Sequence, residues 1–153
     1  GTDYTVHILD QQCANPLHID CTFVPIGHKK AMINPNYMPY DRLPQVVKEE
    51  WEILVAPEYV IVPSEFSDLN MCSANLAFNF LMINPRLAIV DKEQKPLIEL
   101  LQKHGIECIG LSSRYLSPYC GAFHCWTLDI VRDENASQDE IERQVAIAKS
   151  FSQ

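Results

Sequence analysis

Apolar residues in this chain fall into short runs broken by proline and polar turns, and the period of the runs changes along the sequence. Positions 5–9 read as a short strand, followed by a turn-rich connection to Pro16. Positions 17–24 alternate well enough for a second strand. Gly27 breaks that run, and 29–33 form the return strand of a hairpin. Positions 43–51 switch to helical spacing, with Leu43, Val46, Val47 and Trp51 near one face. Positions 53–55 are again a strand.

A similar order then recurs. Positions 76–83 read as a strand, Asn84-Pro85 as a turn, and 87–90 as the return strand. A helix follows over 96–104, with Pro96 in its first turn and Gly105 at its end. Positions 106–111 are a strand. A third round opens near Gly121, with 123–131 extended. Ser137 caps a last helix, and Glu140 completes a capping box. That helix carries Ile141, Val145 and Ala148 on one stripe, with Ile147 and Phe151 beside it. The rounds start near positions 18, 75 and 124, a spacing of about fifty residues that points to an internal repeat. Strands alternating with helices give an α/β class. The hairpins inside each round make the sheets mixed, which argues against a simple doubly wound fold.

Composition narrows the function. Of 153 residues, 47% are apolar and 21% charged, a balance that supports a packed core rather than disorder. The length suits a single domain over 1–153. The formal net charge of −8 repels polyphosphates, so nucleic acid is not an expected partner, whereas a cationic small molecule is mildly attracted. No apolar run reaches the roughly 20 residues of a membrane helix, so no membrane partner is expected. The chain opens Gly1-Thr2-Asp3 without Met and without a secretory pattern, as a processed product or a fragment would. Cys13, Cys21, Cys72, Cys108, Cys120 and Cys125 show no CxxC pair, and several lie in apolar runs. Buried free thiols in a reducing, cytoplasmic setting are the expectation, with a disulfide framework as the alternative.

Two stretches could carry chemistry. In a strand over 17–24, His18 and Asp20 would share one face, pairing an imidazole with a carboxylate. A plain solvent-facing strand surface would show the same pattern. Cys125 follows the small residues Gly121 and Ala122 and would open a strand, where a thiol can face a site; a buried strand cysteine is the other reading. His124 would point away from Cys125 in that strand, which makes His18 the better partner for the thiol. Cys13, His18, Asp20, Cys21, His124 and Cys125 are zinc ligands by type. None has the usual ligand spacing, so no metal is expected. There is no nucleophile elbow and no glycine-rich phosphate loop, and no cofactor is expected.

At these residues the chain resembles glycine amidinotransferase and its relatives in the guanidino-modifying pentein superfamily. Pro16-Leu17-His18-Ile19-Asp20-Cys21-Thr22-Phe23 is similar to the family's Met-His-Ile-Asp-x-Thr-Phe. Gly121-Ala122-Phe123-His124-Cys125-Trp126-Thr127 is similar to its Gly-Gly-Phe-His-Cys-Trp-Thr. Asn34-Pro35, Met71-Cys72-Ser73, Asn79, Ala88-Ile89-Val90-Asp91 and Lys103-His104-Gly105-Ile106 fall between them in matching order. The resemblance runs from about Tyr4 to Arg132. It implies a partial α/β-propeller of hairpin-helix-strand repeats, about three of the family's five, corresponding to the C-terminal half of the usual domain.

The resemblance also implies roles. Cys125 matches the nucleophile and His18 the general acid/base. Asp20 matches the carboxylate that binds the substrate guanidinium. Ser73 and Cys72 lie where paired serines contact substrate, with Cys72 departing from serine. Tyr37 stands where the family has an Arg for the substrate carboxylate; Arg42, five positions on, is the nearest replacement. Cys120 stands in place of a family glycine. The family's third catalytic member, an Asp that orients the His, lies upstream of the matched segment. The implied activity is transfer of an amidino group from an arginine-like guanidino donor to an amine acceptor through an amidino-cysteine. An arginine deiminase-like hydrolase and a non-catalytic pentein-like binding module are the alternatives. Uncovered sheet edges in a partial propeller imply a homo-oligomer, or association with a missing N-terminal half.

Overall fold

The computed structural model describes residues 4–12, 18–61, 77–119, 121–131, 133 and 135–150. The chain divides into two compact units, 1–56 and 57–153.

In the first unit, β1 (Phe23–Gly27) and β2 (Lys30–Ile33) form an antiparallel hairpin, with Phe23 opposite Ile33 and Val24 opposite Met32. The register slips between Pro25 and Gly27, and Lys29 takes a positive φ of 50° at the tip. Helix α1 (Gln45–Glu50) then returns the chain so that β3 (Glu52–Val55) lies parallel to β2, Ile33 beside Val55. The helix is short because Pro44 precedes it and Trp51 leaves it in an extended conformation. One side of the unit packs Phe23, Ala31, Ile33, Met38 and Leu43, with Val47, Trp51 and Ile53 against them. The Phe23 and Trp51 rings meet at 6.0 Å between centroids. Each sheet face is therefore apolar, since Val24, Ile26, Met32 and Leu54 are buried as well.

The second unit repeats the plan. β4 (Leu81–Asn84) and β5 (Leu87–Asp91) are an antiparallel hairpin, and α2 (Lys95–Lys103) leads to β6 (Glu107–Leu111), parallel to β5. Pro96 sits in the first turn of α2, where its missing N–H has no helical partner to lose. Leu97 and Leu101 face inward, and Gly105 ends the helix with φ 78°, a conformation that glycine adopts without steric cost. Helix α3 (Gln138–Ser150) opens with the Glu140 N–H donating to Ser137 Oγ at 3.2 Å, the expected cap. It buries Val145 and Ala148 against Leu87.

The repeat of hairpin, helix and parallel strand is thus present twice, and both sheets are mixed. Four expectations are corrected. Of the strand expected over 76–83, residues 81–83 lie in β4, whereas 77–78 are a 3-10 turn and 79–80 are irregular. Residues 5–9 form no strand, and Val6 and Ile8 are exposed. Of the strand expected over 17–24, only Phe23 and Val24 are extended in β1; Ile19–Cys21 is a 3-10 turn. Residues 123–131 are not a strand but a turn at 123–126 followed by irregular chain. The third round therefore shows its helix and, among the described residues, no strand.

Candidate active site

The first group of expected residues sits on the turn that replaced the strand. His18 is extended and exposed at its start, and Asp20 is half-buried within it. Thr22 closes the turn twice on the Ile19 carbonyl, from its N–H at 2.8 Å and from its Oγ1 at 2.9 Å. A side chain that satisfies a neighbouring carbonyl offers the backbone an alternative to a sheet ladder, which is why the alternation of 17–22 did not yield a strand. Asp20 Oδ1 accepts from the Cys21 thiol at 3.8 Å.

Buried Asn34 fixes this turn from below. Its Nδ2 donates to the Cys21 carbonyl at 3.3 Å and its N–H to the Thr22 carbonyl at 2.9 Å. Its Oδ1 and carbonyl accept from Asn36, Tyr37 and Met38 N–H groups, so the same residue shapes the turn that carries Tyr37. Tyr37 is half-buried, and its carbonyl accepts from Gln12 N–H at 2.7 Å. Arg42 is occupied by Asp10 at 2.7 Å in an exposed pair. Cys72 and Ser73 lie outside the described residues, as do Cys13 and Cys120.

Cys125 lies in the second unit, exposed, on a turn built around Asn79. Asn79 is 1% exposed. Its Oδ1 accepts from the N–H groups of Ala122 at 2.9 Å and Cys125 at 3.0 Å, and its carbonyl accepts from His124 N–H at 3.1 Å. Its Nδ2 donates to Cys125 Sγ at 2.9 Å. Thr127 Oγ1 closes the far side on the Phe123 and His124 carbonyls at 2.9 and 3.0 Å. These bonds hold the turn against the extended conformation expected there. On a turn, unlike a strand, His124 is not bound to point away from Cys125.

Cys21, Cys108 and Cys125 are thiols rather than disulfides, the first two half-buried. They differ in chemistry. Burial, with Glu107 adding to it, pushes the Cys108 thiol up to about 12, so Cys108 stays protonated and inert at neutral pH. The Cys125 sulfur instead meets an N–H donor at the surface. A groove of about 480 Å³ lined by β4, Asp129, Val131 and α3 residues contains none of the expected site residues.

Asn34, Asn79 and Gly121 were not among the residues picked out for the site. For the two asparagines the signal is a polar amide inside an apolar run, as in Phe78-Asn79-Phe80, where a buried amide must find partners.

No family model matches the chain. It is similar to the L-arginine:L-lysine amidinotransferase of Pseudomonas savastanoi pv. phaseolicola, 33% identical over 132 residues, which takes in 86% of this chain and 35% of that protein. It is similar to the mitochondrial glycine amidinotransferase of Xenopus tropicalis, 35% identical over 130 residues, or 85% of this chain and 30% of that one. Among solved structures, an amidinotransferase from Microseira wollei in the saxitoxin biosynthetic pathway matches with a TM-score of 0.79 and 36% identity, over 88% of this chain and 37% of the other. The chain spans about a third of the length of the curated relatives it matches. These three proteins are amidinotransferases, of the pentein superfamily, and the chain is homologous to one stretch of them.

Proposed function

We propose that this chain is the catalytic Cys/His portion of an amidinotransferase, with Cys125 as nucleophile, His18 as acid/base and Asp20 as the guanidinium anchor. Homology to amidinotransferases over 86% of the chain carries this reading. The exposed sulfur on an ordered turn supports it.

The chemistry suits these groups. A guanidinium carbon is a poor electrophile, and a thiolate is a strong nucleophile near neutral pH. Asp20 would hold two guanidinium N–H groups with charge-assisted hydrogen bonds and align the carbon with the sulfur. The Cys125 thiolate adds to that carbon. The bond to the donor's substituted nitrogen then breaks as His18 protonates it, and an amine leaves. In the second half, the acceptor amine adds to the amidino carbon and gives a proton to His18. The C–S bond breaks and the thiolate returns. The donor would be arginine-like. The relatives' names include lysine and glycine as acceptors, so Tyr37, Cys72 and Ser73 are the positions where this chain would set its own preference.

The test incubates the chain with L-arginine and follows Cys125 by peptide mass. An amidino group on Cys125, released by hydroxylamine, glycine or lysine, is the expected result. No adduct on Cys125 would refute the reading, and urea released from that adduct, or arginine converted to citrulline with loss of ammonia, would move it to a hydrolase. Exposed apolar residues at Val6, Ile8, Leu128, Ile130 and Val131 support association with a second copy or with the part of the relatives not matched.

A further inference from the structure

Asn79 lies in an apolar run between Phe78 and Phe80, both buried, and it is itself 1% exposed. A buried amide without partners is costly, yet this one meets the 122–125 turn at four points. The two ends of its side chain do different things. Oδ1 takes two backbone N–H groups, those of Ala122 and Cys125. That fixes which end is oxygen, because the flipped amide would set N–H against N–H. The nitrogen end must then face the sulfur, which it meets at 2.9 Å. A donor aimed at sulfur is accepted weakly by a thiol and strongly by a thiolate.

We propose that Asn79 is the positioning residue of Cys125: its oxygen pins the turn by two backbone amides while its nitrogen donates to the sulfur and favours the reactive, anionic form. The proposal rests on Cys125 being the nucleophile. Asn79 touches the sulfur and no substrate atom is assigned to it. His124, exposed on the same turn, is the titratable neighbour in sequence, and its N–H is spent on the Asn79 carbonyl.

Asn79→Asp separates the two ends. One carboxylate oxygen can still take both backbone N–H groups, while the other places negative charge on the sulfur in place of a donor. Iodoacetamide alkylation of Cys125 in the full chain, followed by peptide mass from pH 5 to 10, reads the thiolate directly. The expected result is a midpoint raised by about one to two pH units in Asn79→Asp, the equivalent of losing a hydrogen bond to a charged group. At neutral pH, amidino-Cys125 formation from arginine should fall at least about tenfold. A merely structural Asn79 would lower the melting temperature and leave that midpoint in place. An unchanged midpoint in a folded Asn79→Asp chain overturns the proposal. If the unmutated chain takes no amidino group from arginine while the midpoint still shifts, the functional reading fails and Asn79 keeps its role. If amidino transfer proceeds equally in both chains, the role of Asn79 fails and the function stands. Should the variant not fold, the side-chain amide protons of Asn79 in the unmutated chain decide: they should move with the Cys125 titration, and protons that stay flat through it overturn the proposal.

Discussion

A methyl group on Gly121 would stand 2.6 Å from Trp126 Nε1 and 3.0 Å from Cys125 Cβ. Such contacts do not occur in packed proteins, so either the indole or the Cys125 turn must shift. Gly121→Ala should therefore slow alkylation of Cys125 by roughly tenfold, the kinetic equivalent of about 1–2 kcal/mol of misplacement, with a smaller loss of stability. Alkylation at the unmutated rate would show that the indole yields instead. Among the described residues, the two cysteines of this unit should also part company. With its thiol pushed up to about 12 by burial, Cys108 remains protonated at pH 8, and iodoacetamide should label Cys125 well before it. Peptide mapping over time checks the order, and equal rates would contradict it. At this scale the motif residues were legible as types, since a lone thiol after small residues and a His-x-Asp stretch stand out. The role of Asn79 was not, because its partners lie 43 to 46 residues away and no local pattern announces them.

Elements follow local rules where those rules agree with packing. Helix α2 has Leu97 and Leu101 inward, proline at its start and a left-handed Gly105 after its end. Leu101→Ala, at a site with no exposure, should cost about 2–5 kcal/mol in urea unfolding, and Gly105→Ala about 1 kcal/mol. Helix α3 carries an acid-sensitive contribution. Arg143, then Gln144, hold the Glu140 carboxyl below its ordinary value in the fold. A carboxyl lowered by folding stabilises above its unfolded value, and that contribution is lost as pH falls through the folded one. Glu140 stays in contact with solvent, its side chain 37% exposed, so the effect is small, and Glu140→Gln should flatten the acid limb of α3 helicity followed by circular dichroism. An unchanged acid limb would show that the pair contributes nothing. Both hairpins and both parallel returns were readable because period two and period 3.6 extend over whole elements. The failures at 18–22 and 123–127 share one cause. There, threonine hydroxyls satisfy carbonyls three or four residues away, and buried asparagines from distant segments take further backbone groups, in place of a sheet ladder.

For the molecule as a whole, apolar surface is the feature still without a partner. Leu128, Ile130 and Val131 are 84%, 88% and 88% exposed, in irregular chain rather than in the sheet that their alternation suggested. Sedimentation velocity over a concentration series should show association, and Leu128→Lys with Ile130→Lys should weaken it. A monomer at all concentrations would leave these residues as surface without a binding role in this chain. The sequence by itself determined the alternating elements, the doubled hairpin-helix-strand order and the kinship with amidinotransferases, since each is written in periodicity or in ordered short motifs. Only the tertiary structure decided that His18 and Cys125 sit on turns rather than strands, and that buried asparagines hold those turns. Hydrogen bonds between residues far apart in the chain set these conformations, and a one-dimensional pattern carries no trace of which distant amide will meet which backbone group.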